Sequence, residues 1–242
     1  MPAARSSSGG SKVAPAPAMR GKGRPRFNGA AADVDREGAI LDAAEGLFSD
    51  YGFYGVTVRQ VAEAAGVHAS LPNYYFGSKR DLFDAVMLRR AEVVNAMRLL
   101  SMARYESETE VLTVEGSLEA FFEPLLDVWE TGGPGWKKYL RLIAIVNNMP
   151  ALGGEAMARY FDPVVKKLIE LLRKVVPEAR DEDLYWSCHF ISATLSLSFA
   201  ETGRIDRLSD GLCRSGDVQA VRSRLSAYSA SGFLELTRRR PN

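Results

Sequence analysis

Residues 57–79, TVRQVAEAAGVHASLPNYYFGSK, read as two short helices around a tight turn, followed at once by the start of a third. Thr57 is a good N-cap, and Gln60 three residues later completes a capping box that satisfies two orphan amides reciprocally. Val56 and Val61 flank that helix start at the spacing of a hydrophobic staple. Val58, Val61, Ala62 and Ala65 then form an apolar stripe at i, i+3, i+4 and i+7. Gly66 supplies the permissive backbone of a turn, and Val67 returns to the core. A second helical segment over about 69–75 presents His68, Ala69, Ser70, Asn73 and an edge of Tyr74 or Tyr75. Ser78 caps the third helix, with Asp81 placed to favour its N-terminus. Small and polar residues on a short exposed helix after a glycine turn suit a DNA-reading helix-turn-helix.

Outward from this stretch, the preceding helix is expected over about 35–50, with Ile40, Leu41, Ala44, Leu47 and Phe48 as its core stripe. A long helix follows from Lys79 to near Tyr105. The runs AILDAAEGLFSDYGFYGVTVRQVAEAAGV (39–67) and NYYFGSKRDLFDAV (73–86) resemble the DNA-binding domain of the TetR family of bacterial repressors. The resemblance implies an all-α fold of about nine helices, with a three-helix DNA-binding domain over 33–85. It further implies a helical effector-binding and dimerisation domain over 86–242, a homodimer, and a fourth helix that links ligand occupancy to the spacing of the two DNA-binding units. One departure is Pro72, where the family pattern more often has an aliphatic residue. Proline is tolerated in a helix's first turn, so with Ser70 as N-cap the reading helix should start late.

The DNA-contact candidates are Thr57, Arg59, Ser70, Asn73, Tyr74, Tyr75 and Lys79. Thr57 stands at a helix N-terminus that favours a phosphate, and Lys79 brings a point charge to the backbone. Ser70, Asn73 and Arg59 are the base-edge candidates, asparagine suiting adenine and arginine guanine. Tyr74 and Tyr75 differ by about 100° on a helix, so one packs inward and the other offers its hydroxyl to phosphate.

Net charge, at +1, does not mark a nucleic-acid binder, but its distribution is uneven. Residues 1–32 carry six bases and no acid, within an Ala/Ser/Gly/Pro-rich composition expected to be disordered. The arm ends in RGKGRPRF, whose Arg24 and Arg26 suit an A·T-rich minor groove. Residues 33–86, by contrast, carry nine acids and four bases. Phosphate affinity is therefore expected from the arm and from locally placed groups rather than from a broad positive face.

Two cysteines, Cys188 and Cys213, and two histidines, His68 and His189, offer no metal-ligand spacing, so no metal or cofactor is expected. No apolar leader and no 18-residue apolar run occurs, which points to a cytoplasmic protein with no membrane partner. With no nucleophile elbow, metal motif or phosphate loop, an enzyme is not expected.

Beyond the acidic connection at 106–117, helices are expected over about 117–131, 136–148, 155–176, 181–203 and 216–238, with a GGPG break at 132–135. Aromatic and apolar residues around that break exceed what simple packing needs. Phe121, Phe122, Trp129, Trp136, Tyr139, Met149, Tyr160 and Phe161 are therefore candidates for the effector pocket that the resemblance implies, with Arg141 or His189 as its polar end. From FDPVVKKLIELLRKVVPE (161–178) through GRIDRLSDGLC (203–213), the chain further resembles a TetR subgroup that includes fatty-acid-responsive repressors. A fatty acid or acyl-CoA in an apolar tunnel is the expected small apolar effector. The last two helices are candidates for a twofold four-helix interface, with Trp186, Phe190, Leu197, Val221, Leu225 and Tyr228 buried there or within one subunit. A dimer would set two reading helices roughly 34–36 Å apart on a near-palindromic double-stranded operator. The leading expectation is a repressor released by its effector; the alternative is a DNA-binding regulator without a small ligand, governed by a protein partner.

Overall fold

The computed structural model describes residues 29–238, with side chains from Asp35 onward; Arg24 and Arg26 lie outside the described residues. Among these residues there are ten helices and no strand. They are α1 (Gly29–Tyr51), α2 (Val58–Ala64), α3 (Leu71–Phe76), α4 (Lys79–Glu108), α5 (Val114–Thr131), α6 (Gly133–Asn147), α7 (Gly153–Val175), α8 (Asp181–Ala200), α9 (Arg204–Leu208) and α10 (Val218–Arg238). The all-α expectation holds, with α9 added and α1 beginning six residues before the expected Asp35.

Local chemistry fixes the two helix starts around the reading helix. Gln60 N donates to Thr57 Oγ1 at 3.2 Å while Thr57 N donates to Gln60 Oε1 at 2.8 Å, so the expected capping box is formed. Ser78 and Asp81 make a second one at the start of α4, at 3.1 Å and 3.0 Å. These hydrogen bonds from Ser78 hold the Asp81 carboxyl below its ordinary range. Gly66, at φ 65°, makes the turn between α2 and α3.

Further along, Thr113 caps α5 by accepting from Gly116 N at 3.0 Å, and Tyr105 Oη accepts from Thr113 N at 2.8 Å. The connection expected over 106–117 is shortened accordingly. The GGPG break is present but shorter than expected: α5 ends at Thr131, Gly132 and the left-handed Gly133 (φ 81°) redirect the chain, and Pro134 sits in the first turn of α6, where no helical donor is lost. At its far end α8 stops three residues early, because Glu201 turns left-handed at φ 43° and its carboxylate accepts from Trp129 Nε1 at 2.7 Å.

One contiguous apolar cluster runs from Ile40 to Phe233. α4 is its spine, packing on α1 and α3 at one end and on α5 and α7 along its length. The DNA-reading end is fastened to the body through Glu45 of α1, which is 2% exposed. Its carboxylate accepts from Arg90 Nε at 2.6 Å, from Arg90 Nη2 at 3.0 Å and from Arg89 Nη2 at 3.1 Å. The Arg90 guanidinium also lies 5.0 Å from the centre of the Trp136 ring, so α1, α4 and α6 meet at one charge cluster. Removing one partner of such a buried pair strands the other. We predict that Glu45→Ala lowers unfolding free energy by about 3 kcal/mol in urea titration; a loss within about 0.5 kcal/mol would mark the cluster as no stronger than a surface pair.

Candidate functional site

α3 stands proud of the bundle between two glycine turns. Its N-cap is Ser70 and Pro72 occupies its second position, as the late start requires. Ser70 makes no side-chain cap; its Oγ lies 2.8 Å from His68 Nδ1 instead. Pro72 is buried, so the residue that departs from the family pattern serves as a packing contact under the reading helix. Asn73 is exposed, and its side-chain amide makes no hydrogen bond among the described residues. The tyrosine pair resolves: Tyr74 is 79% exposed, while Tyr75 packs against the core cluster. Tyr75 is therefore anchored beneath the surface that Tyr74 presents.

Thr57 and Arg59 are both exposed on the neighbouring α2, but each is engaged: Thr57 in its capping box, Arg59 with Glu63 at 3.0 Å. An exposed i,i+4 pair is weak and gives way readily to a phosphate. Lys79 is half-buried, with its ammonium 4.4 Å from the centre of the Phe53 ring, and desolvation lowers its pKa.

The acidic balance of this unit is resolved by position. From Ala64 to Arg80 there is no acid at all. Asp42 and Glu45 are tied to Arg89, Asp50 lies 3.7 Å from Arg141, and Asp84 is held by Arg80 and Arg159. Carboxylates are thus neutralised towards the body, and the face around α3 is left uncharged except at its basic edge.

A cavity of about 310 Å³ lies in the body among α4, α5, α6, α7 and α8. Of the expected pocket residues, Phe121, Phe161 and His189 line it. The others do not: nearness in sequence to the break between α5 and α6 does not decide which face of each helix meets the cavity. Phe122, Trp129 and Tyr139 are fully buried core side chains; burial also raises the Tyr139 phenol's pKa, and its hydroxyl donates to Met87 O at 3.2 Å. Tyr160 points to Asp84 O, Trp136 packs under Arg90, and Met149 lies in the α6–α7 turn. Arg141 is on the opposite side of α6, beside Asp50.

What sequence reading missed is Arg98 of α4, which lines the cavity and is 4% exposed. The signal was available: Arg98 stands four residues after Val94 and four before Met102, on the buried stripe of α4, where a solvated arginine would not fall. Burial pushes its guanidinium pKa down to about 9. Cys188 lines the same cavity, where burial pushes its thiol up to about 12 and leaves it unreactive at neutral pH.

On the outer face, Trp186, Phe190 and Leu197 of α8 and Tyr228 of α10 are all exposed, and Trp186 stacks on Phe190 with ring centres 5.8 Å apart. Val221 and Leu225 do not share that surface: Leu225 is 5% exposed and Val221 packs on the core. α10 is rotated relative to the expected register, because it seats Val218, Leu225, Ser229 and Phe233 inward, chiefly against α5.

Residues 40–86 match the family model described as bacterial regulatory proteins, tetR family, and residues 119–232 match the tetracyclin repressor-like C-terminal domain. The chain belongs to the TetR family. Among curated TetR-type relatives, it is 49% identical over 49 residues to the HTH-type transcriptional regulator RutR of Escherichia coli, covering 20% of this chain and 23% of RutR. It is 36% identical over 69 residues to the HTH-type transcriptional repressor AcnR of Corynebacterium glutamicum, covering 27% of this chain and 37% of AcnR. This TetR chain thus matches well under half of either relative. Among solved structures, the fatty acid degradation regulator FadR from Bacillus halodurans superposes at a TM-score of 0.57, with 17% identity, over 81% of this chain and 95% of that one. At that identity the likeness is one of fold. The family is one of bacterial regulatory proteins, and these relatives are transcriptional regulators. Among the described residues no helix is long and apolar enough to cross a membrane.

Asn73 combines exposure, an unengaged amide and a place on the reading helix. We predict that Asn73→Ala weakens binding to a selected DNA site by about 1–3 kcal/mol in fluorescence anisotropy. Thermal stability should stay within about 0.5 kcal/mol of the parent; a larger loss would make the side chain structural.

Proposed function

We propose that this regulator is a dimeric repressor, acting in the cytoplasm, that leaves a near-palindromic operator when a small apolar effector enters the cavity of its body. The observation that carries this reading is the continuity of α4. One unbroken helix begins at the Ser78 cap beside the reading helix and ends at Glu108 beyond the cavity. Residues 33–85 act as the reading head and 86–242 as the body, with no loop between them to absorb a displacement. A ligand that prefers one placement of α4 therefore shifts the population of head spacings. Ser70, Asn73 and Tyr74 are the groups turned to DNA, with Thr57, Arg59 and Lys79 on the phosphates, and Arg24 and Arg26 of the arm added to them.

Trp186, Phe190, Leu197 and Tyr228 form the dimer face. Four exposed large apolar side chains on adjacent helices are costly in a monomer and suit a twofold contact. Effector entry between α7 and α8, past His189, fits an apolar ligand such as a fatty acid. A regulator governed by a protein partner alone is the second reading; the space of about 310 Å³ in the body favours the first.

Two measurements test the proposal. Replacing Phe190 and Leu197 together by aspartate should give a monomer in sedimentation and weaken DNA binding on the order of 10²-fold or more through lost avidity. A parent chain that is monomeric at micromolar concentration would overturn the dimer. A thermal-shift screen with fatty acids, acyl-CoAs and aromatic compounds should find a ligand that raises the melting temperature and releases bound DNA; stabilisation without release would break the coupling through α4.

A further inference from the structure

We propose that Arg98 reads the charge of the effector, and that the cavity takes a small apolar monocarboxylate which enters head first and pairs with this guanidinium. This rests on the reading of the cavity as an effector site. The arginine is 4% exposed, and its company is meagre for a buried cation. Its Nε donates to Phe121 O at 3.2 Å, and the guanidinium lies 3.7 Å from the centre of the Phe121 ring. Among the described residues neither Nη has a hydrogen-bond partner and no carboxylate lies within ion-pair distance, and neither Nη is wholly sealed from accessible space. A guanidinium offers five N–H donors in a fork that matches a carboxylate. Burying it unpaired is expensive, and buried cations are ordinarily matched by an anion. Here the space beside the cation is a cavity rather than an acid.

The placement of the other polar groups sets the direction of entry. Lys166, Tyr185 and His189 line the cavity and are exposed, so they mark its outer end between α7 and α8. Phe121, Leu125, Phe161, Leu195 and Phe199 supply apolar wall around Arg98. Asp162, the one acid lining the cavity, forms no ion pair with it. A ligand whose charge meets Arg98 must carry that charge at its inner end and its apolar tail towards the rim. Such a head has to be small. A coenzyme A thioester has neither a carboxylate to offer nor room for its nucleotide in about 310 Å³, and entering tail first it would bring a methyl group to Arg98 and leave the charge unpaired. Because Arg98 belongs to α4, the pair would form on the helix that reaches the reading head, which gives the anion a direct hold on the moving element.

The experiment is titration calorimetry of the full chain with decanoate, decanol, methyl decanoate, decanoyl-coenzyme A, phenylbutyrate and phenylbutanol, repeated with Arg98→Met and Arg98→Lys. The parent should bind an acid at least roughly tenfold more tightly than the matching alcohol, the increment of a charge-assisted hydrogen bond. Arg98→Met should abolish that preference while keeping affinity for the alcohol, and Arg98→Lys should keep part of it. Equal binding of acid and alcohol by the parent, an acid preference that survives Arg98→Met, or decanoyl-coenzyme A binding as tightly as decanoate overturns the assignment while leaving the cavity an effector site. Failure of all six compounds to bind removes the effector site as well. Should Arg98→Met not fold, the ranking of acid against alcohol in the parent decides alone.

Discussion

The carboxylate of Glu45, almost wholly out of water, is the point through which the two ends of this molecule are joined. It receives three N–H donors from Arg89 and Arg90, and Arg90 in turn lies over Trp136. A buried charge of this kind tolerates little relative movement, because separating the partners leaves each desolvated and unmatched. α1 therefore follows α4, and the short helices α2 and α3, which pack on α1 and α4, follow with them. The rigidity that a DNA-reading surface needs comes from this cluster and from the apolar layer of Ile40, Phe48, Phe83 and Val86 beneath it.

The same economy of charge explains how an acidic unit presents a face to a polyanion. Asp42, Glu45, Asp50 and Asp84 are engaged by arginines and Asp81 by a helix cap, and the run from Ala64 to Arg80 carries no acid. Phosphate is repelled by charge it can see across a few ångströms, not by formal totals, since exposed charges beyond about a Debye length are screened. Buried or paired acids on the far side of α1 and α4 count for little at the reading surface.

Inside the body the balance is reversed. Aromatic side chains fill the space between α5, α6 and α8 so completely that Phe122, Trp129 and Tyr139 are shut off from solvent. The cavity lies to one side of them, with the buried Arg98 guanidinium on its wall. A buried charge on a largely apolar wall is a selective environment, because the lower the local dielectric, the more a complementary charge gains by entering.

The sequence by itself determined whatever depends on neighbours three or four residues apart. Both capping boxes, the glycine turn, the late start forced by Pro72, the all-helical class and the family resemblance belong here, since each is a relation within one helix or across one turn. The tertiary structure alone decided what depends on how helices face one another. Which of Tyr74 and Tyr75 points outward, and that Val221 and Leu225 turn inward while Tyr228 does not, both follow from packing direction. Arg98 is the clearest case: its spacing from Val94 and Met102 sets it on the inner stripe of α4, but only the approach of α5 and α8 shows that a cavity rather than an acid stands beside it.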